Sequence, residues 1–209
     1  MTRVVLAISA AVCALSIHAE ANATIVSISF DEKPARDFIP LTDAYAAQGV
    51  TFLGTNAGLW TGLAGGDPGN WGLTGTDGDQ FLGFNGPYGE TMTFATAVTM
   101  VGLDFARASG STNNSIDMRA FDGASLVAKV SVDLGSPNIW EHLSVSGAHI
   151  TSVTFAANGS RFHPFGADGL VFRTAAVAAV PEPATWALLV LGFGSLGATL
   201  RRRRSLAAA

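Results

Sequence analysis

Apolar and polar residues alternate along much of the chain between residues 24 and 173. Apolar side chains occupy every second position in seven stretches, and this period of two places them on one face of a β-strand. These positions are Val26, Ile28, Phe30; Val101, Leu103, Phe105; Ile116, Met118, Ala120; Leu126, Ala128, Val130, Val132; Leu143, Val145; Val153, Phe155; and Leu170, Phe172. With short apolar runs at Val50–Leu53, Phe81–Phe84 and Thr91–Phe94, the pattern predicts about ten strands.

Turn-forming residues separate these strands. The predicted turns are Asp122-Gly123, Ser146-Gly147 and Asn158-Gly159. The one helical signal is a short turn from Asp43 to Gln48, with Thr42 as its cap and Gly49 at its end. Evenly spaced strands without long helices predict an all-β fold, a single antiparallel β-sandwich, and a jelly roll fits the number of strands.

The first 23 residues have the pattern of a signal peptide. Arg3 gives a positive start, Val4–Ile17 is almost wholly apolar, and Ala21-Asn22-Ala23 is a small-x-small sequence that signal peptidase accepts. We therefore expect the secretion machinery to export the chain and signal peptidase to cut after Ala23. Cys13 is the only cysteine and lies inside this segment. The mature protein thus has no thiol for a disulfide, a metal site or a nucleophile.

Residues 181–204 combine three features of a tail that inserts into a membrane. Pro181, Glu182 and Pro183 precede the apolar run 184–200, whose 17 residues would form a helix about 25 Å long. The four residues that follow, Arg201, Arg202, Arg203 and Arg204, stay in the cytoplasm by the positive-inside rule. The sequence thus predicts a signal peptide at 1–23, a β-sandwich domain at 24–173, a linker at 174–180 and an inner-membrane helix at 184–200.

The order of these parts resembles the PEP-CTERM sorting tail. The resemblance rests on Val180–Pro183, on Trp186, on the glycine-containing apolar run and on the terminal arginines. It implies that an exosortase, a membrane protease-transpeptidase, removes the tail and releases the protein or transfers it to the cell surface. It also implies a Gram-negative bacterium that makes exopolysaccharide, so the expected destination is the cell surface or the biofilm matrix. The alternative is an ordinary C-terminal membrane anchor.

Three motifs of the middle domain resemble the jelly-roll domains of secreted bacterial proteins. They are Ile28–Asp31, Tyr45–Phe52 and Phe165–Phe172. The resemblance implies a sandwich like that of carbohydrate-binding modules, in which the first and last strands lie together and can hold a structural calcium ion. Carried over, the metal ligands are Asp31 and Asp168, with Glu32 in addition, because calcium binds carboxylate and carbonyl oxygens. The alternative is that Asp31 and Asp168 only accept hydrogen bonds from the backbone.

Residues 54–80 form a segment with nine glycines and two tryptophans. Loops of this length are often functional. Trp60 and Trp71 offer faces on which sugar rings stack, and Asp77 and Asp79 offer acceptors for sugar hydroxyls or ligands for calcium. The alternative is that both tryptophans pack onto the sandwich, in which case they contact no ligand.

Charge and the catalytic motifs exclude several classes of function. Residues 24–180 hold 7 Lys and Arg against 14 Asp and Glu, a net charge of −7 that does not suit nucleic acid. The sequence contains no Gly-x-Ser-x-Gly, no His-Glu-x-x-His and no phosphate loop. We therefore expect no catalytic residues and a protein that is not an enzyme.

These observations lead to one function and two alternatives. The first interpretation is an exported surface or matrix protein that is sorted through its tail and binds polysaccharide without catalysis, with a structural calcium ion as its only cofactor. The first alternative is a secreted hydrolase of carbohydrate or ester, which would need polar side chains that converge in a cleft. The second is a purely structural matrix or adhesion component, in which Trp60 and Trp71 are buried.

Overall fold

Extended strands build most of the structure, as the period of two predicts. The computed structural model describes residues 23–32, 41–53, 62–65, 72–85, 89–111, 115–157, 164–176, 188–198 and 201. Residues Ala23–Ala176 form one compact unit that holds every described strand. The helical residues 188–198 belong to a second unit and are described separately below.

The described strands pair into one antiparallel sheet. They are β1 (Ile25–Ile28), β2 (Val50–Phe52), β3 (Gly62–Gly65), β4 (Gln80–Asn85), β5 (Glu90–Arg107), β6 (Ser115–Asp122), β7 (Ser125–Asp133), β8 (Glu141–Ala157) and β9 (Pro164–Thr174). Their order in the sheet is β3-β4-β9-β5-β8-β6-β7, with β1 added to β9 and β2 added to β5. The all-β prediction is therefore confirmed, and its strands form a single antiparallel sheet.

Two long strands, β5 and β8, pair along most of their length and connect the parts of the sheet. Their register shifts between Thr93 and Val98 and again between Val98 and Met100. Such bulges bend a strand without ending it. The alternation had suggested separate strands on either side of these points, and the predicted turn at Ser146-Gly147 is wrong because both residues lie inside β8.

The bends bring distant parts of the sheet onto one core. Phe155 of β8 pairs with Glu90 of β5, and Glu90 lies about 15 residues before Phe105 on that strand. If β5 were straight, Phe155 and Phe105 would therefore be roughly 50 Å apart. The ring centroids of Phe105 and Phe155 are instead 5.2 Å apart. Phe94 and Phe172 meet in the same way at 5.1 Å. The sheet therefore curls around its apolar face. The jelly-roll topology itself stays a prediction.

In the central strands, the apolar positions of the predicted alternation are buried. At the edge of the sheet, the apolar positions are less buried. Ile116, Met118 and Ala120 are fully buried on one face of β6. In β7, at the edge of the sheet formed by the described strands, Leu126 is 55% exposed. The predicted turn at Asp122-Gly123 is confirmed between β6 and β7. The Asn158-Gly159 turn lies outside the described residues.

Two short helical segments complete the described structure. A 3-10 helix at Ala46–Gln48 ends at Gly49, whose φ of 93° is left-handed, as the predicted turn requires. Residues 188–198 form an α-helix with exposed apolar side chains such as Leu188 and Phe193. Within the part of the chain that the structure describes, we find no helix both long and apolar enough to cross a membrane. The predicted span 184–200 extends beyond the described residues at both ends.

Candidate acidic site

Asp31 fixes the end of the glycine-rich segment against the first strand. It follows β1, and its Oδ1 accepts hydrogen bonds from the backbone N–H groups of Asp79 and Gln80, both at 3.0 Å. Gly78 lies so close that a Cβ there would collide with the Asp31 carboxylate. A glycine at position 78 therefore lets the backbone wrap around this side chain.

Asp168 holds the same segment from the last strand. This residue of β9 is fully buried. Its Oδ2 accepts hydrogen bonds from Thr76 N at 2.6 Å and Thr76 Oγ1 at 2.8 Å, and its Oδ1 accepts one from Gly169 N at 2.8 Å. Burial raises the pKa of Asp168 to about 6, and the charge of Asp77 adds to this effect, although the hydrogen bonds oppose it.

Two more carboxylates lie next to these. Burial raises the pKa of Asp77, and the charge of Asp31 adds to it, with smaller effects from Glu32 and Asp104. Asp104 of β5 lies opposite Asp168 in the sheet, and its Oδ1 is 2.7 Å from His142 Nδ1. We call Asp31, Asp77, Asp104 and Asp168 the acidic cluster. The charges of Asp31 and Asp104 contribute to the raised pKa of Asp77, and a bound cation would offset them.

Glu32 is occupied by its own surroundings. Its Oε1 accepts hydrogen bonds from Ser29 N at 3.0 Å and Ser29 Oγ at 3.2 Å, and its Oε2 accepts one from Tyr45 Oη at 3.4 Å. Burial opposes ionisation of Glu32, but backbone hydrogen bonds outweigh it and lower the pKa of this carboxyl. Burial and the charge of Glu32 in turn raise the pKa of Tyr45. Glu32 thus supports the loop after β1.

The structure brings several of the predicted site residues together. Asp31 and Asp168 bind the two ends of residues 76–80, so the two residues proposed from the first and last strands meet through the segment that carries Asp77 and Asp79. Trp60 and Trp71 lie outside the described residues. Among the residues that are described, no three His, Asp or Glu side chains gather closely enough to hold a metal ion by themselves.

Sequence reasoning missed Thr76 and Asp104. Thr76 gives Asp168 two of its three hydrogen bonds, and no motif marks it. Asp104 alternates with the buried Leu103 and Phe105 as an ordinary outward residue would, and only the register with β9 places it opposite Asp168. His142 is exposed on β8, as the alternation predicted, but its partner Asp104 was not foreseen.

The tail supplies the observation that relates the chain to known proteins. Pro181–Pro183, an apolar stretch that includes the helix 188–198, and the arginines from Arg201 onward follow one another in the order described above. Residues 179–204 match the PEP-CTERM protein-sorting motif. The PEP-CTERM motif implies an exported protein, anchored transiently at the membrane and processed by exosortase and the secretion machinery. Pro181, Glu182, Pro183 and Arg202–Arg204 lie outside the described residues, whereas Arg201 is helical and Ala23 is exposed.

The β domain is similar to several solved structures at low identity. The K2 adhesin domain of Lys-gingipain is 14% identical, with a TM-score of 0.49, over 71% of this chain and 99% of its own. TmCBM61, solved with β-1,4-galactotriose, is 12% identical, with a TM-score of 0.42, over 66% and 99%. The CBM22-1 xylan-binding domain from Paenibacillus barcinonensis is 13% identical, with a TM-score of 0.39, over 69% and 95%. With TM-scores below 0.5, these likenesses carry no argument about the ligand. No curated protein matches the chain.

Proposed function

We propose that this chain is an exported, non-catalytic glycan-binding protein of the bacterial surface or exopolysaccharide matrix, with a calcium ion bound at the acidic cluster. The sorting motif at 179–204 supports the export. In this proposal the precursor is held in the inner membrane by residues 184–200 until exosortase removes the tail. The mature domain then acts at the cell surface or in the biofilm matrix of a Gram-negative bacterium.

One observation carries the calcium proposal: a carboxylate just after the first strand and a carboxylate in the last strand both bind residues 76–80. Asp31 and Asp168 supply hard oxygen ligands. Burial is the main cause of the raised pKa values of Asp77 and Asp168, and neighbouring negative charge, which a cation would neutralise, adds to it. Since no three acidic side chains gather here among the described residues, the ion would take at most two carboxylates from them. Backbone carbonyls and water would complete its shell.

The glycan proposal rests on the sequence between residues 54 and 80. Its C-terminal part, from Thr76 to Gln80, is fixed to the sheet by Asp31 and Asp168. Trp60 and Trp71 precede this fixed part along the chain. In this proposal calcium orders the end of the segment, and the two tryptophans stack on sugar rings.

The absence of catalysis is part of the same proposal. His142 and Asp104 form the pair that a general base and its orienting carboxylate would form. Within the described part of the chain, however, no Ser or Thr hydroxyl donates a hydrogen bond to His142. The hydrolase alternative needs such a nucleophile, or a second carboxylate at a suitable distance from the first.

Calcium binding can be tested on the full-length protein in detergent micelles after removal of divalent cations with EDTA. We expect calcium at 100 times its Kd to stabilise the fold by about 2.7 kcal/mol and to raise the melting temperature accordingly. Asp31→Asn should abolish this rise, because the amide still accepts both backbone hydrogen bonds but brings no charge. The matched control is Asp133→Asn, at an exposed position at the end of β7.

A glycan array with calcium and with EDTA tests the second half of the proposal. Glycan binding that disappears in EDTA and in Asp31→Asn supports both halves together. A melting temperature that ignores calcium refutes the calcium site, and an array without any bound glycan refutes the glycan-binding function. Glycan binding that persists in EDTA would leave the function standing without the metal.

A further inference from the structure

The outer face of β6, β7 and β8 carries a polar group that the acidic cluster does not include. Asp117 of β6 lies opposite Ser131 of β7 and Ala156 of β8, and Arg119 lies opposite Lys129 and Thr154. These side chains alternate along β6 with Ile116, Met118 and Ala120, which point into the core. They therefore project from the face of the sheet that is turned away from the core.

Asp117 is nevertheless almost enclosed, since its side chain is only 10% exposed. Ser131 Oγ donates a hydrogen bond to its Oδ1 at 2.5 Å, and Arg119 Nη2 and Lys129 Nζ approach its Oδ2 at 2.9 and 3.0 Å. The hydrogen bond from Ser131 is the largest effect on this carboxyl and, with those from Lys129 and Arg119, outweighs burial and lowers the pKa of Asp117 to about 2. Asp117 is thus a fixed negative charge that orients two cations.

A depression opens beside this group. Asp117, Arg119, Thr154 and Ala156 line it, and its volume is about 100 Å³. Sites that enclose a drug-sized ligand have roughly 300–1,000 Å³, so this depression takes one end of a ligand while the rest lies over the open sheet. The small side chain of Ala156 leaves the space free.

Both cations still have donors for a ligand. The side chain of Arg119 is 48% exposed and that of Lys129 is 44% exposed. Arg119 approaches Asp117 with one terminal nitrogen, which leaves further N–H groups of its guanidinium for an oxygen in the depression. The two cations and one carboxylate give a local charge of about +1 within a strongly acidic domain.

We propose that this outer-face depression binds the carboxylate of an acidic sugar, such as a uronic acid residue within a polysaccharide. Arg119 and Lys129 donate hydrogen bonds to the sugar carboxylate. Asp117 accepts hydrogen bonds from sugar hydroxyls, and the Thr154 hydroxyl can donate to them or accept from them. A simple anion would meet Asp117 without a donor, and a neutral sugar would leave the net positive charge unmatched. An acidic sugar carries both groups. That the ligand is a saccharide rests on the proposed glycan-binding function. Binding at this depression does not require calcium.

The test uses two trisaccharides that differ only at carbon 6, β-1,4-linked trimannuronate and β-1,4-mannotriose. Binding to the full-length protein in detergent micelles is measured by calorimetry in EDTA, so that calcium cannot bridge the carboxylates to the acidic cluster. We expect trimannuronate to bind more tightly than mannotriose. Arg119→Gln should weaken trimannuronate binding about 10- to 100-fold, the usual effect of losing a hydrogen bond to a charged group.

Arg173→Gln is the matched control, because it removes the same charge from an exposed arginine on β9. It should leave the affinity for trimannuronate within about twofold of the wild type, since charges beyond a Debye length are largely screened. Arg119→Lys keeps the charge but loses the planar fork, and should bind with an intermediate affinity. This second variant keeps the test informative if Arg119→Gln fails to fold.

Three results would overturn the inference. The first is equal affinity for both trisaccharides, or no binding of trimannuronate at all. The second is an equal loss of affinity in Arg119→Gln and Arg173→Gln, which would indicate attraction by overall charge. The third is wild-type affinity in folded Arg119→Lys and Lys129→Gln, which would leave the ion pairs of Asp117 with a role in sheet stability alone. In each case a calcium-dependent rise in melting temperature would still support the separate acidic site.

Discussion

Asp168 makes the stability of the β domain fall as pH rises, when divalent cations are absent. Burial raises the pKa of this carboxyl to about 6, against an ordinary value of 3.8 in the unfolded chain. Between these two values the folded state keeps a proton that the unfolded state has lost. The stabilisation is therefore complete below about pH 3.8 and is lost as the pH rises through about 6.

The size of the effect follows from the two pKa values. They differ by about two units, and each unit corresponds to about 1.4 kcal/mol, so the whole change is about 3 kcal/mol. About 2 kcal/mol of it falls between pH 4.5 and pH 7. For a domain of this size, that lowers the melting temperature by about 4–8 °C. Asp77, whose pKa burial also raises, contributes with the same sign.

Carboxyls whose pKa values are lowered affect the stability mainly below the range from pH 4.5 to pH 7. Glu32 and Asp117 have pKa values below their ordinary values of 4.5 and 3.8, so their stabilisation is lost only as the pH falls further. Thermal unfolding of the full-length protein is monitored by near-UV circular dichroism in EDTA at constant ionic strength. It therefore isolates the effect of the carboxyls whose pKa values are raised. Asp168→Asn should flatten the pH dependence, and Asp133→Asn should keep it.

Two outcomes would refute this reasoning. One is a wild-type melting temperature that stays constant or rises between pH 4.5 and pH 7. The other is the same decline in Asp168→Asn as in the wild type, which would assign the decline to other groups. The same measurement in excess calcium gives a further test. If calcium binds at the acidic cluster, it favours the ionised carboxylates, and the decline of the melting temperature with pH should disappear.

Three further changes have expected outcomes. Phe155→Ala should lower the free energy of unfolding by about 3–5 kcal/mol in urea titrations, because its ring packs against Phe84 and Phe105 across the core; a loss below 1 kcal/mol would contradict the curled sheet. Thr76→Val should cost about 1–2 kcal/mol at pH 7 and less at pH 4.5, since it removes a hydrogen bond to the ionised Asp168; Thr76→Ser should restore it, and a cost independent of pH would argue against the assigned role. Replacing Pro181–Pro183 by alanine should leave unprocessed precursor on immunoblots of the native host, whereas normal processing would show that exosortase does not read these residues.

The strands were predictable because burial on one face repeats at every second residue. Ile116, Met118 and Ala120, for instance, are all buried, as the alternation requires. The continuity of β5 and β8 was not predictable, since their register shifts by three residues and then by two without a distinctive residue type. Ser146-Gly147 has the composition of a turn, yet pairing with β5 holds both residues in an extended strand.

The site was predictable only where residues belong to a sequence motif. Asp31 and Asp168 were chosen through motifs, and both accept hydrogen bonds from the segment 76–80. Their role as metal ligands stays a prediction. Asp117 shows the limit of the pattern: its place on the polar face suggested exposure, but Ser131 and Lys129 of the neighbouring strand cover it. The burial of Asp117 depends on which residues of the neighbouring strand pair with it, and the alternation within β6 alone does not predict that pairing.

The pairing of β1 with β9 also brings the two ends of the β domain together. Thr174 N donates a backbone hydrogen bond to Thr24 O, and Thr24 N donates one to the side-chain Oγ1 of Thr174, so the two ends of the β domain lie next to each other. Asp168 lies six residues earlier on β9, roughly 20 Å along the strand. Whatever is joined to either end of the β domain therefore begins roughly 20 Å along β9 from Asp168.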